Sequence, residues 1–441
     1  MAAPVEEGGH AGKRGFDWIL DLPSGAAAIA MRVKEFGEED PRRVIHSFKV
    51  GLALTMVSLF YYFKPLYDGF GVNAIWAVLT VVVVFEFSVG ATLGKGLNRM
   101  AATFGAGGLG IGAHHLASLS GPTGEPILIA AFVFIIAAVV TFTRFFPKVK
   151  ARYDYGFNIF ILTFSLVSVS GYRDSQVWTM AHERLSTIMV GSSTAVIVCV
   201  VVYPVWIGEE LHNLVVTNIE NLGEFLLGFG DQCFNAESNN NGKALGEYHK
   251  SVLTSKSNEE NMANLARWEP GHGRFRLQHP WKQYLKIGTL TRECAYKVDA
   301  LSSYLNPHVQ PVDEMGNRVE VACRELSTEC GRALKELALA TRKMKRPKPA
   351  DAMVASSSAA ADNLKLVLDT SKWERQRLVE VVPIAALAAV LLEIAETTER
   401  IADAVVELAS KAHFKSTDSA VSPEQPSPPP AAALPVSSGG A

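Results

Sequence analysis

Cysteine is scarce in this chain. There are five in 441 residues (Cys199, Cys233, Cys294, Cys323, Cys330), an odd number with no C-x-x-C spacing. Neither a disulfide framework nor a zinc site is indicated, and reduced or buried thiols are expected. An excess of either charge is missing too: 42 Lys and Arg stand against 44 Asp and Glu, a net charge of -2, so nothing in the total points to nucleic acid. No nucleophile-base pairing, phosphate loop or metal constellation can be picked out, so neither an enzyme nor a cofactor is expected. GAGGLG at Gly105 to Gly110 has the letters of a dinucleotide fingerprint, but no strand precedes it and its surroundings are apolar and small. It reads as a helix-packing face, with Gly108 and Gly112 as a small-xxx-small pair. His114 and His115 are adjacent, diverge by about 100° on a helix and make a poor metal pair. Residues up to Pro41 contain no apolar run after Lys13 and Arg14, so no signal peptide is expected there.

What the chain does have is apolar length. Hydrophobic residues make up 48% and charged residues 20%, with a mean hydropathy of +0.15, which suits neither a wholly soluble nor a wholly membrane-embedded protein. Six apolar segments run from Val44 to Phe63, Val72 to Phe87, Met100 to Leu119, Pro126 to Phe146, Tyr155 to Val169 and Leu185 to Ile207. Four reach the ~20 residues that span a bilayer; the second and fifth do so only with flanking polar residues. Short segments in corresponding positions of two three-segment halves point to a binding or conduction path near the midplane. The Lys and Arg bias of the connections puts both termini in the cytosol, with a basic inner mouth and a mildly acidic outer face. The expected architecture is an all-α integral membrane protein. A cytosolic N-terminal segment (1–41) leads into six transmembrane helices (42–207), a cytosolic helical bundle (208–414) and a Ser/Pro-rich tail (415–441) expected to be disordered.

The stretch Trp76 to Arg99, WAVLTVVVVFEFSVGATLGKGLNR, joins a bilayer-grade apolar run to Glu86, Lys95 and Arg99. A charge at a helix centre in a bilayer costs roughly 2.5–3.5 kcal/mol on insertion scales, so it needs a partner or a watery path. Lys95 and Arg99 are four apart and share a helical face, and that cationic face suits anions. Glu86 is read as a pairing residue for Lys95 or another helix. If the sixth helix starts near Asp174, Arg184 lies ten residues in, ~15 Å along its axis. Arg144 belongs to a cluster with Lys148, Lys150 and Arg152 at the inner mouth; it is a further candidate for the anion path, although positive-inside anchoring also accounts for it.

Beyond Gly208, Glu209 to Phe234 is amphipathic, and helical patterns follow from about Lys243 to Ala266, His279 to Leu305, Pro311 to Lys343 and Ala359 to Phe414. The apolar run Val381 to Ile394 is about 14 residues long and contains Pro383, so it reads as a buried core helix rather than a seventh span.

EDPRRVIHSFKVGLAL, the Trp76 to Arg99 block, GGLGIGAHHLA, RFFPKVKARYDYG and WEPGHGRFRLQHPWKQYLKIGTLTRECAYKVDAL resemble the plant aluminium-activated malate transporter family, in order, from about Glu39 to Ala412. The resemblance implies a dimeric anion channel in the plasma membrane, with the vacuolar membrane as the alternative, passing malate and inorganic anions. It also implies cationic rings at Arg99 and Arg184. Aluminium-responsive members carry outer acids at the position matching Asp68 and at two positions that here read Ser175 and Thr179. With Asp174 as the remaining nearby carboxylate, a hard trivalent ion finds few oxygen anions, and little activation by aluminium is expected. Two other classes fit the residues: a proton-coupled carboxylate carrier, with Glu86 and His114 or His115 titrating in transport, and a membrane-anchored scaffold.

Overall fold

Residues 25–63, 75–171, 177–234, 252–302, 314–346, 348–370 and 378–415 are described in the computed structural model. These residues are mostly α-helical and contain no strand; their bridge residues are isolated, Lys345 with Lys415 among them. The chain divides into two compact units: Met1–Gly208 with Asn264–His272, and Glu209–Ala263 with Gly273–Ala441.

The first unit opens with α1 (Gly25–Glu39) and α2 (Pro41–Tyr62). Pro41 sits at the start of α2, where a missing N–H costs nothing, and the Asp40 carboxylate accepts from the Arg42 backbone N–H at 3.1 Å. Next come α3 (Ile75–Val84), α4 (Val89–Ser118), α5 (Gly121–Thr143), α6 (Pro147–Gly171) and α7 (Val177–Val201). Among the described residues, three helical stretches are long and apolar enough to cross a membrane: Pro41–Tyr62, Gly121–Thr143 and His182–Val201.

The helix limits differ from the hydropathy limits at several segments, and at the second and third the difference shapes the site; the sixth is cut short, since its helix ends at Val201 and Ile207 opens the next. Among its described residues, the second apolar segment is helical over the ten of α3, because Phe85 to Ser88 leave the helix and Ser88 caps the next one. The third segment lies within α4, which begins eleven residues earlier and therefore carries Lys95 and Arg99 inside one 30-residue helix.

Two apolar clusters hold this unit. Ala53 and Val57 of α2, Ala77, Val81 and Val84 of α3, and Ala195, Val198 and Cys199 of α7 form one; Ala106 and Ala113 of α4 with Phe164 of α6 form the other, flanked by Phe132 and Ile136 of α5. Close helix approach rests on glycine. A Cβ on Gly191 would lie 2.6 Å from the Ala77 carbonyl oxygen, and one on Gly110 would lie 3.0 Å from Val167. The expected pair, Gly108 and Gly112, faces open space instead, because Ala106, Gly110 and Ala113 are the members of that stretch turned toward α6.

The second unit contains α8 (Ile207–Phe234, from Glu209 on), α9 (Lys256–Ala266, to Ala263), α10 (Trp281–Ser302), α11 (Glu314–Lys343), α12 (Lys348–Thr370) and α13 (Leu378–Lys411). The pattern expected as one helix from Ala359 to Phe414 is carried by two, α12 and α13, which pack on each other and on α11. Leu387, Ala388, Leu391 and Ile394 of α13 are almost fully buried, so the second half of the run Val381 to Ile394 lies in a core, while Val382 is exposed. Pro383 lies inside α13, within its first two turns. Helices α8 and α11 cross at Gly223 and Gly331, where an added Cβ would meet the opposing backbone at 3.0 Å or less.

Candidate functional site

The break between α3 and α4 sets up the site. The Ser88 hydroxyl caps α4 by accepting from the Ala91 N–H at 3.3 Å, and the Thr92 hydroxyl accepts from the Glu86 N–H at 3.0 Å. The non-helical turn is thereby tied to the first turn of α4, and the Val89 N–H is taken up by the Val205 carbonyl at 3.1 Å. Glu86 emerges from this turn and accepts an ion-paired hydrogen bond from Lys95, both side chains being about one-third exposed.

One turn along α4, Arg99 is only 6% exposed. Its guanidinium donates to the Tyr155 hydroxyl of α6 at 3.0 Å, while its Nε is buried without an acceptor. No carboxylate pairs with Arg99 among the described residues. The Lys95 ammonium lies 5.6 Å from the centroid of the same Tyr155 ring. Arg184 of α7 stacks its guanidinium 4.2 Å from the Trp76 ring centroid and lies within electrostatic reach of Arg99. Lys95, Arg99 and Arg184 are thus gathered from two helices against Trp76 and Tyr155. A buried, unmatched donor on a charged group costs more than the usual 1–3 kcal/mol of a neutral one, so this arrangement favours an incoming acceptor.

Arg144 is placed differently. It forms a two-pronged pair with Asp154, at 2.8 and 3.2 Å, and ties the α5 end to α6. Asp68 and Asp174 lie outside the described residues, as does Ser175, and Thr179 is in α7. His114 faces Glu125 at 3.6 Å. Among the described residues no group of three or more His, Cys, Asp and Glu could hold a metal ion.

Sequence reasoning passed over two features. Lys49 is 1% exposed in α2 and donates to the Tyr203 carbonyl at 3.2 Å, placing a cation by the C-terminal end of α7, where the helix dipole is negative. Its signal was a lone cation inside the first apolar run. The other is Asn264–His272, which contains the WEP triplet and belongs to the first unit. Leu265 packs against Gly90 and Trp268 against Gly94, where a Cβ would come within 2.4 Å and 2.9 Å of them. Trp268 also meets the Tyr153 ring edge-on. The Glu269 carboxylate accepts from the Ile207 and Gly208 N–H groups at 2.7 and 3.1 Å, capping the start of α8, and His272 stacks on Trp206 at 3.8 Å. No local pattern could have shown that this short segment folds with helices more than a hundred residues upstream.

A family model described as "Aluminium activated malate transporter" matches residues 34–374. The chain belongs to the aluminium-activated malate transporter family. It is 51% identical over 393 residues to "Aluminum-activated malate transporter 2" of Arabidopsis thaliana, covering 88% of this chain and 78% of that one. It is 49% identical over 419 residues to "Aluminum-activated malate transporter 7" of the same plant, covering 88% and 83%. To "Aluminum-activated malate transporter 1" of Triticum aestivum it is 44% identical over 418 residues, covering 91% and 89%. For a member of this family, the cation cluster of α4 and α7 and the docked Asn264–His272 segment lie within the matched region.

Proposed function

We propose that the protein conducts malate and inorganic anions across a plant membrane, as a homodimeric channel with six membrane helices per subunit and both termini in the cytosol. The plasma membrane is the favoured location. The observation that carries this reading is Arg99, buried in α4 with an unmatched Nε and no carboxylate partner among the described residues, beside Lys95 and within reach of Arg184. The relatives' names supply malate as the anion.

A dicarboxylate entering a narrow path loses hydration, and guanidinium forks matched to carboxylate oxygens offset that loss. Arginine keeps its charge at every physiological pH, so the path remains cationic. Sharing the anion among Lys95, Arg99 and Arg184 keeps each site weak enough for release. Glu86 tempers Lys95, and Tyr155 orients Arg99. Arg144, held by Asp154, acts as a clamp between α5 and α6 rather than as an anion ligand.

Whole-cell current with defined malate on each side tests the reading. A channel gives currents that reverse with the anion gradient and ignore the proton gradient; currents that follow protons would favour the carrier, and none at normal surface expression would favour the scaffold. With Asp68 and Asp174 as the available outer acids, current should flow without aluminium and gain little from it at acidic external pH. Ser175→Glu with Thr179→Asp should create or enlarge an aluminium response, and several-fold activation of the unmodified protein would overturn this view of the outer face.

A further inference from the structure

Where Asn264–His272 packs within the first unit, Arg152, Tyr153, Asn264, Arg267 and Trp268 line a half-open cavity of about 110 Å³. Cavities of about 150 Å³ hold a benzene-sized molecule, so this one is on the scale of a phosphate or a short dicarboxylate. Its walls are anchored on both sides. The Arg152 carbonyl accepts from the Asn98 amide at 3.0 Å, Gly156 one turn later packs on Asn98, and Trp268 is held between Gly94 and the Tyr153 ring.

The charges are unbalanced. Neither Arg152 nor Arg267 has a carboxylate partner among the described residues. The nearest acids in sequence are engaged elsewhere, Asp154 by Arg144 and Glu269 by the backbone N–H groups of Ile207 and Gly208. Lys148 stands one turn before Arg152 on the same helix and adds to the positive field. Two arginines and an asparagine lining a small, partly aromatic cavity bring the residue types that hold a doubly charged oxyanion.

We infer that this cavity is an anion site separate from the Lys95–Arg99–Arg184 cluster, taking a carboxylate pair or a phosphate group carried by a free metabolite or by a lipid headgroup. Because Arg152 belongs to α6 and Arg267 to the Asn264–His272 segment, an anion shared between them fastens that segment to the first unit.

The full chain in nanodiscs of phosphatidylcholine, carrying Arg99→Ala to weaken the pore cluster, is titrated calorimetrically with malate and with inorganic phosphate. Saturable binding should persist, weaken at least tenfold with Arg152→Gln or Arg267→Gln, and vanish when both are changed. Lys150→Gln, which removes a nearby cation outside the cavity, should leave it within twofold. In the chain with Arg99 intact, the Arg152→Gln, Arg267→Gln double variant should lower the number of anions bound by one per chain, which keeps the test open if Arg99→Ala fails to fold. Loss of malate binding on adding phosphatidic acid to the discs assigns the cavity to a headgroup phosphate; indifference to that lipid assigns it to a free anion. Binding unchanged in the Arg152→Gln, Arg267→Gln double variant, or no binding of malate, phosphate or anionic lipid, overturns the inference.

Discussion

The two units treat buried charge in opposite ways. In the second, the Arg292 guanidinium is met by Glu259 at 2.6 Å, and Ser255 donates to the same carboxylate at 2.7 Å. The pair is buried but neutral. In the first unit, Lys49 and Arg99 are equally buried and meet only a backbone carbonyl and a phenol hydroxyl. Isolated ions are expensive to bury, so a fold that wanted only stability would have matched these cations, as the second unit does. The excess of buried positive charge is therefore what the proposed anion path rests on.

The largest effect should come from unbalancing the matched pair. Glu259→Ala leaves Arg292 buried without its counterion and should cost about 3–5 kcal/mol of stability by chemical denaturation. Glu259→Leu with Arg292→Met should recover most of that loss, whereas a double variant as unstable as the single one would show that the pair does more than cancel its own charge.

A second difference concerns protons. His212 of the second unit is held by the Tyr284 hydroxyl at 2.9 Å, and burial, with the Arg274 charge adding to it, pushes its imidazole down from 6.5 to about 4. The unfolded chain takes up that proton near 6.5 and the folded chain only near 4. Stability should thus be full above about pH 6.5 and fall as pH drops toward 4, by on the order of 3 kcal/mol. Melting curves across this range should show the loss, and His212→Phe should flatten it.

Smaller effects are expected from packing in the first unit. Gly191→Ala forces a methyl onto the Ala77 carbonyl and the Thr80 side chain and should destabilise by about 1–3 kcal/mol. Gly108→Ala meets open space and should be neutral or slightly stabilising, since alanine favours helix. Thermal melting of the two purified variants checks the contrast.

Much of this was legible in the residues. Apolar length marked α2 to α7 but not α1, which lies in the polar N-terminal stretch, and the spacing of Lys95 and Arg99 put both on one face of α4. What hydropathy could not register was α4's reach back to Val89, because Gly- and Ala-rich turns carrying charge depress a hydropathy average without breaking a helix. The Arg99–Tyr155 bond and the stacking of Arg184 on Trp76 join distant helices, and local spacing carries no trace of them. The Gly110 contact was hidden for a related reason: several small residues in one stretch could serve, and the neighbouring helix chooses among them. Asn264–His272 lies deepest of all, since its polar, Pro- and Gly-containing run reads as a loop of whichever unit surrounds it in sequence.

The most direct test of the cation excess is the reversal potential of Arg99→Glu under a malate gradient, measured at matched surface expression. Turning the buried, unmatched cation into an anion should abolish malate current or shift the reversal toward that of the cation. Wild-type malate current with an unchanged reversal potential would contradict the claim that the buried positive charge of the first unit serves anion passage.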